Sequence, residues 1–381
     1  MIANPLRVCY CIDNLAPAGT EKQLLRLLET LDREKIQPHL VLLDGYCEKS
    51  LALEPKGIPI LRLGVKKLAS GKAWRAAREF RGFLKSHRID VLQVYFIDSA
   101  RLAIPVARTA GVKRIFHVRN NCGYWSTRKL PFLDRFLHRL TDLFLTNSEV
   151  AREEWTRLGI PDWKIRILDN FLPTPTATFH PPFQKSVPVV GLVANLRPVK
   201  NVDGFLRMAK RIAEKGIRAQ YRIAGDGTER AALQRLSEQL GIDPFVRFEG
   251  QLSDIKGFLD DLDIAVLCSH SESNSNALLE YLAAGKPVLA TDVGRNREWL
   301  ERTISGAIVD LADEPSWADH LVNMLEDQTE TTRRARSGWE LYSKLVNESR
   351  SIKQWYKLYS IETSDVWPAC SVSGYPSRRS A

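Results

Sequence analysis

The stretch SHSESNSNALLEYLAAGKPVLATDVG, residues 269–294, links two apolar runs through a polar loop and one helix. A strand is predicted to end at Ser269, and Asn276 is a candidate N-cap for a helix that runs to Gly285. Pro287 then opens the next apolar run. The order strand, loop, helix, strand predicts a parallel sheet wrapped by helices.

The same alternation extends outward to both ends of the chain. It gives five strand candidates in each half. Those of the first half are residues 7–12, 38–43, 90–96, 114–118 and 143–147, and those of the second half are 187–195, 220–225, 246–250, 263–269 and 287–292. The fold class is therefore α/β, with two doubly wound, Rossmann-like parallel-sheet domains.

The two series are separated by PTPTATFHPPFQKS, residues 173–186, which is rich in Pro and Thr and lacks periodicity. We interpret it as a linker. The first domain then covers residues 1–172 and the second 187–352, while a helix at 353–363 can cross back to the first domain. Residues 364–381 have the composition of a flexible tail.

Composition narrows the functional classes. The 381 residues are 44% hydrophobic and 26% charged, which excludes collagen-like, low-complexity and wholly disordered chains. The net charge of +10 favours an anionic partner, either nucleic acid, acidic lipid headgroups or a phosphorylated small molecule. Six cysteines without metal-binding spacing predict reduced thiols in the cytoplasm and no metal, and the sequence shows neither a signal peptide nor a membrane-spanning run.

In an open α/β sheet, ligands bind beyond the carboxyl ends of the strands. Glu272 and Glu280 follow one such strand end, eight residues apart, so that both carboxylates can face the crevice. The N–H groups of Ala277 and Leu278 near the helix start offer an anion site. The alternative is that Glu280 complements the helix dipole and Glu272 is a solvated loop charge.

The loop NLRPVKN, residues 195–201, places Arg197 and Lys200 before a helix that Asn201 can cap. Two cations beside a helix N-terminus suit a diphosphate, although surface cations are common. In AGDG, residues 224–227, Gly225 and Gly227 permit a tight turn and close ligand approach. The third glycine of the dinucleotide fingerprint is missing, which disfavours NAD.

The first half contributes weaker candidates. Gly19 permits a close backbone approach after the first strand, and Thr20 with Gln23 forms a predicted capping box. His117 ends the strand at 114–118 and Asp98 follows the strand at 90–96; each position suits either a functional or a structural residue. Asp261 and Asp263 precede their strand, at the wrong end of the sheet for a metal site.

Together these motifs resemble the retaining family 4 glycosyltransferases of the GT-B fold. That family carries E-x7-E followed by G-x-P-V-x-x-T, matched here by Glu272, Glu280 and GKPVLATDVG. Its Arg and Lys three residues apart match Arg197 and Lys200, and its A-G-x-G turn matches AGDG. The chain departs from the pattern at Ala18, where glycine is usual, at Ser273, where glycine is common, and at LDNFLP, residues 168–173.

The resemblance implies two domains that face each other across a cleft, the first on the acceptor side and the second binding the donor. It assigns Glu280 to the ribose, Glu272 to the transferred hexose and both cations, Arg197 and Lys200, to the diphosphate. His117 would face the sugar from the first domain. Gly19 would belong to a glycine-rich loop, and Gly225, Gly227 and the helix start at Asn276, Ala277 and Leu278 would line the nucleotide site.

It further implies a retaining, metal-independent hexosyltransferase without a cofactor. The donor would be a nucleotide sugar, with UDP or GDP expected, and the acceptor a glycan or lipid-linked intermediate of lipopolysaccharide or exopolysaccharide biosynthesis. The alternatives are a GT-B sugar-nucleotide epimerase or hydrolase, and a non-catalytic nucleotide-sugar-binding protein. No nucleic-acid motif appears.

A basic helix in the first domain, within residues 66–88, predicts contact with an anionic membrane surface. Its cations recur at steps of three or four: Lys72, Arg75, Arg78, Arg81, Lys85 and Arg88. An adjacent apolar stripe is predicted to pack inward: Trp74, Ala77, Phe80 and Leu84. A basic, aromatic stretch at 128–139 can extend this face, which would place the protein on the cytoplasmic side of a membrane; the alternative is an ordinary domain helix with solvated charges.

Overall fold

The structure is a computed structural model that describes residues 5–16, 18–44, 48–65, 68, 70–120, 132–347 and 351–360. The predicted tail, residues 364–381, lies outside the described residues, as does 128–131 of the second basic stretch. Both predicted domains are present as parallel sheets flanked by helices.

The first sheet has seven strands: β1 (Leu6–Ile12), β2 (Ile36–Leu42), β3 (Ile60–Arg62), β4 (Val91–Tyr95), β5 (Arg114–Val118), β6 (Leu143–Thr146) and β7 (Ile165–Ile167). Six helices accompany it: α1 (Gly19–Thr30), α2 (Glu48–Leu51), α3 (Gly71–Ser86), α4 (Ile97–Ala110), α5 (Phe132–Leu140) and α6 (Glu149–Arg157).

The second sheet has six strands: β8 (Val189–Val193), β9 (Gln220–Ala224), β10 (Val246–Gly250), β11 (Ile264–Leu267), β12 (Val288–Thr291) and β13 (Gly306–Val309). The helices that follow β8 are α7 (Val202–Glu214), α8 (Arg230–Gln239), α9 (Ile255–Asp260), α10 (Asn276–Ala283), α11 (Asn296–Thr303), α12 (Glu314–Glu326), α13 (Gln328–Asn347) and α14 (Ser351–Ser360).

Both sheets are parallel and share one topology. Their strand orders are β3-β2-β1-β4-β5-β6-β7 and β10-β9-β8-β11-β12-β13. Each order reverses direction at its first strand, between β1 and β4 and between β8 and β11. This is the Rossmann arrangement, in which ligands bind at that switch point. The predicted α/β fold of two doubly wound domains is confirmed.

Strand periodicity explains the two-sided cores. In β1, Val8, Tyr10 and Ile12 enter one apolar cluster, whereas Cys9 and Cys11 enter the cluster on the opposite face. The first of these clusters also contains Trp355, Leu358 and Tyr359 of α14. The Tyr359 hydroxyl lies 2.8 Å from that of Tyr10. The last described helix is therefore part of the first domain's core.

The predicted apolar stripe on α3 requires correction. Its buried residues are Ala76, Phe80 and Leu84, whereas Trp74 is 83% exposed. At about 100° per residue, Trp74 is rotated by about 160° from Ala76 and by about 120° from Phe80, so it lies outside the face of α3 that packs on the sheet. All six predicted cations of this segment are exposed.

The aspartates before β11 are structural. The Asp263 carboxylate accepts hydrogen bonds from the backbone amides of Phe183, at 2.5 Å, and Val189, at 2.8 Å, which fixes the linker to the second sheet. Asp261 pairs with Lys185 and Arg222. Among the helices the structure describes, none has the length and apolar character needed to cross a bilayer.

Candidate active site

Two loops meet at the switch point of the second sheet. The loop after β8 carries Lys200 and the loop after β11 carries Glu272, and the Lys200 Nζ lies 2.6 Å from the Glu272 Oε1. The Ser269 hydroxyl donates to the same oxygen at 2.6 Å. The fold thus brings together a cation and a carboxylate that are 72 residues apart in the chain.

Arg197 is exposed in the same loop. Its charge acts on Glu21 of the first domain, which lies in the first turn of α1 and is 5% exposed. Burial raises the pKa of Glu21 to about 7; the charge of Asp13 adds to the rise and that of Arg197 opposes it. The sequence analysis did not single out Glu21, because only the fold reveals its burial.

The glycines of the AGDG turn hold the Arg197 loop in place. Gly225 has a φ of 130°, and a Cβ there would overlap the carbonyl oxygen of Ala194. A Cβ on Gly227 would overlap the Leu196 carbonyl oxygen in the same way. The Leu196 amide donates to the Asp226 carbonyl at 3.0 Å. The close approach that these glycines permit is to the neighbouring loop.

The start of α10 differs from the prediction by one residue. The N-cap is Ser275, whose hydroxyl accepts from the Leu278 amide at 3.4 Å, and Asn276 is the first helical residue. The cap therefore engages the Leu278 amide, one of the two predicted anion-binding groups, while Ala277 lies beside it in the first turn. Serine and asparagine are nearly equal as caps, so the run SNSN leaves the helix start ambiguous.

Glu280 contacts the first domain. Its Oε1 lies 2.7 Å from the Nζ of Lys22 on α1, and the Glu280 side chain is 17% exposed. The sequence analysis missed Lys22, although it lies only three residues after Gly19, in the segment that follows the first strand. The carboxylate that the family resemblance assigns to ribose thus already has an ionic partner across the cleft.

The predicted capping box at Thr20 and Gln23 is wrong. Helix α1 begins at Gly19 with Ala18 as N-cap and no side-chain cap. Gln23 instead accepts from the Phe171 amide at 2.7 Å and donates to the Asn276 Oδ1 at 2.9 Å. A Cβ on Gly19 would lie 2.5 Å from the Asn276 Nδ2, so this glycine allows the two domains to approach closely.

His117 occupies the penultimate position of β5 and is 2% exposed. Its ring packs on that of Phe144, with centroids 5.8 Å apart. Burial, helped by the positive charge of Arg119, holds the pKa of His117 well below its usual range, so the imidazole is neutral. Asp98 lies in the first turn of α4, beyond the end of β4, and pairs with Arg101 at 3.5 Å.

Within the described residues, no group of three or more His, Cys, Asp or Glu side chains is arranged to hold a metal ion. The candidate site residues of the second domain are two cations, Arg197 and Lys200, and two carboxylates, Glu272 and Glu280, of which Lys200 and Glu272 are in contact. Such a set can bind an anion through its cations and accept hydroxyl hydrogen bonds through its carboxylates.

Two family models match the chain. The model described as glycosyl transferases group 1 matches residues 175–340, and the glycosyl transferase 4-like domain matches residues 18–170. Together they cover most of the chain, with a boundary close to the linker.

Curated proteins and a solved structure are also similar. The lipopolysaccharide core biosynthesis glycosyltransferase LpsE of Rhizobium meliloti is 30% identical over 207 residues, 53% of this chain and 59% of the relative. The Vi polysaccharide biosynthesis protein VipC/TviE of Salmonella typhi is 25% identical over 315 residues, 73% of this chain and 50% of the relative. The chain thus matches about half of each relative's length. The crystal structure of Anabaena HepE in complex with UDP and glucose has a TM-score of 0.76 at 16% identity, covering 93% of this chain and all of that one.

Proposed function

Because the chain belongs to the family 4 glycosyltransferases of the GT-B fold, we propose that it transfers a hexosyl group from a nucleotide sugar to a hydroxyl acceptor with retention of configuration. The observation that carries the proposal is the ion pair between Lys200 and Glu272 at the switch point of the second sheet. Arg197 lies in the same loop as Lys200, and Glu280 follows Glu272 by eight residues. Arg197 and Lys200 would bind the diphosphate, Glu272 the hexose hydroxyls and Glu280 the ribose.

The chemistry follows from charge. As the bond between the anomeric carbon and the diphosphate oxygen breaks, negative charge develops on the leaving group, and preorganised cations stabilise it. The acceptor oxygen forms the new bond to the anomeric carbon on the same face, and its proton passes to the departing phosphate oxygen. Lys200, which pairs with Glu272 in the structure, would turn to the phosphate and leave Glu272 to accept from the sugar. No step requires a metal.

The relatives support the substrate classes. LpsE is named for lipopolysaccharide core biosynthesis and VipC/TviE for Vi polysaccharide biosynthesis, and the HepE structure contains UDP and glucose. We therefore propose a UDP- or GDP-hexose donor and a glycan or lipid-linked acceptor, acted on at the cytoplasmic face of a membrane. His117, neutral and close to the carboxyl end of β5, would contact the transferred sugar from the first domain.

Product analysis with a panel of nucleotide sugars tests this function. Nucleotide release that depends on an acceptor indicates a transferase. Release without an acceptor indicates a hydrolase, an altered sugar without release an epimerase, and binding without turnover a non-catalytic protein. Arg197→Ala and Lys200→Ala should each lower turnover on the order of a hundredfold. Lys210→Ala, on α7 of the same domain, is the matched control, and near-normal turnover in both site variants would refute the assignment.

A lipid-linked acceptor requires a membrane-facing surface, and α3 is the candidate. It carries five exposed cations, with exposed Arg88 just beyond its end, together with Trp74, which is 83% exposed. Each cation near an anionic bilayer contributes about 1 kcal/mol, and an exposed indole suits the headgroup region. We propose that α3 docks on anionic lipid and presents the cleft to the acceptor.

Co-sedimentation with liposomes tests the docking surface. The chain should bind anionic vesicles at low salt and release them at high salt, since the attraction is screened. Trp74→Ala should weaken binding, whereas Trp163→Ala, which removes another exposed indole of the first domain, should not. Equal binding to neutral vesicles, or no binding to anionic ones, would favour a soluble acceptor.

A further inference from the structure

A chain of uncharged side chains joins the two domains beside the candidate active site. We call it the amide clasp; its members are Gln23, Asn147, Ser148 and Asn170 of the first domain and Ser273 and Asn276 of the second. Ser273 directly follows Glu272, and Asn276 lies one helical turn before Glu280. The clasp therefore attaches to the segment that carries both donor-side carboxylates.

Ser273 is the first attachment point. Its hydroxyl donates to the Asn147 Oδ1 at 2.5 Å, and the Ser148 hydroxyl lies 2.7 Å away. Since the hydrogen of Ser273 is used for Asn147, Ser148 donates to Ser273. The three side chains are buried, with Ser148 1% exposed. The contact is thus a buried, directional junction, and the two residues that it joins, Asn147 and Ser273, are 126 positions apart in the chain.

Asn276 is the second attachment point. The Asn147 Nδ2 donates to the Asn170 Oδ1 at 3.0 Å, and the Asn170 Nδ2 donates to the Asn276 Oδ1 at 3.0 Å. Gln23 donates to the same Asn276 oxygen at 2.9 Å. Gln23 is itself held by the backbone of Phe171. The amides of Gln23, Asn147 and Asn170 therefore have both of their ends engaged, which fixes the orientation of these three side chains.

Contacts within the second domain also hold the segment that contains Glu272 and Ser273. The Arg295 amide donates to the Ser273 carbonyl at 3.0 Å. Gly294 has a φ of 57°, and a Cβ there would lie 2.5 Å from the Glu272 carbonyl oxygen. The loop with Glu272 is therefore held between its own domain and the clasp, so a loss of the clasp frees one side of the loop only.

We propose that Ser273, Asn147 and Asn170 are positioning residues that set Glu272 and Glu280 from the opposite domain, so that the donor site is complete only when the domains are closed. The expected loss of kcat rests on the proposed function. The expected closure of the two domains by the clasp does not. Because the clasp is uncharged and buried, salt does not screen it. Ser273 stands where glycine is common in the family, and a glycine cannot make this junction.

The test compares Ser273→Ala, Asn147→Ala and the double variant with Ser237→Ala, which removes a buried hydroxyl that donates within α8 to the Gln234 carbonyl. Each clasp variant should lower kcat about tenfold at saturating nucleotide and also weaken nucleotide binding, because binding must then close the domains, whereas Ser237→Ala should change neither. The double variant should lose about tenfold as well, since both changes break one contact. Additive losses of about a hundredfold, or unchanged kcat, would overturn the proposal.

Solution scattering supplies a readout that needs no turnover. The wild-type chain without ligand should be compact, whereas Ser273→Ala and Asn170→Ala should show a larger radius of gyration that UDP or GDP reduces. Equal radii in all variants would refute the clasp even if transfer is normal. If the variants expand but the wild-type protein transfers no sugar, the proposed function is refuted and the clasp proposal is still supported. Circular dichroism identifies a variant that fails to fold, and Asn147→Ala then replaces it in the scattering comparison.

Discussion

Replacing Glu21 by glutamine isolates the effect of one buried acid beside the donor cleft. The Glu21 side chain is 5% exposed in the first turn of α1. Burial is the main cause that raises its pKa from the ordinary 4.5 to about 7. Glutamine keeps the shape of the side chain and cannot lose a proton, so the variant removes the titration alone.

Proton linkage gives the direction in which the free energy of unfolding changes with pH. The folded chain holds this proton more tightly than the unfolded chain does. The stability that Glu21 contributes is therefore fully present below about pH 4.5 and is lost as the pH rises through about 7. Between pH 5 and pH 8 the wild-type chain should lose roughly 2.5 kcal/mol of unfolding free energy at this group, from about 1.4 kcal/mol per pH unit of pKa difference.

Urea unfolding at pH 5, 6, 7 and 8, followed by circular dichroism, measures the effect. The stability of Glu21→Gln relative to wild type should rise by roughly 2.5 kcal/mol across this range, with most of the change complete by pH 7. Glu29→Gln, on the exposed side of the same helix, is the control and should run parallel to wild type. A constant difference between Glu21→Gln and wild type at all four pH values would show that this carboxyl is not buried as described.

Three further outcomes are expected. Glu280→Ala should weaken nucleotide binding at least about tenfold by calorimetry, because a carboxylate acceptor is lost, while the exposed Glu326→Ala should not; equal affinities would move the ribose site elsewhere. A chelator should leave turnover nearly unchanged, and a complete loss that Mg²⁺ or Mn²⁺ restores would contradict the charge-based mechanism. Asp263→Ala should lower the free energy of unfolding by about 1–3 kcal/mol, since two backbone amides lose their acceptor, without changing nucleotide affinity; unaltered urea unfolding would show that the linker does not depend on it.

The sequence predicted the strands where burial leaves a long apolar signature. All ten predicted strands are present, whereas β3, β7 and β13, with three or four residues each, were missed. Each of them ends its sheet, where pairing on one side alone suffices for a short and weakly patterned strand. Their formation depends on a neighbouring strand more than on their own residues.

The site residues divide in the same way, into those that a local motif identifies and those that only the fold brings together. Arg197, Lys200, Glu272 and Glu280 were predictable because local motifs carry them. The partner of Glu280, Lys22, lies 258 residues away in the chain, and no local pattern encodes that pairing. The outward position of Trp74 is a comparable case. Apolar residues lie on more than one side of α3, and only the packed structure shows that Ala76, Phe80 and Leu84 are the buried ones.

The return of α14 to the first domain determines the order in which the protein matures on the ribosome. The core that contains Tyr10 stays open on one side until Trp355, Leu358 and Tyr359 have been synthesised. At 5–20 residues per second, the ribosome reaches them roughly 10–40 s after it completes the first domain's own strands. During that interval the nascent first domain exposes apolar surface while the second domain can already fold, so the half of the protein that is made first is completed last.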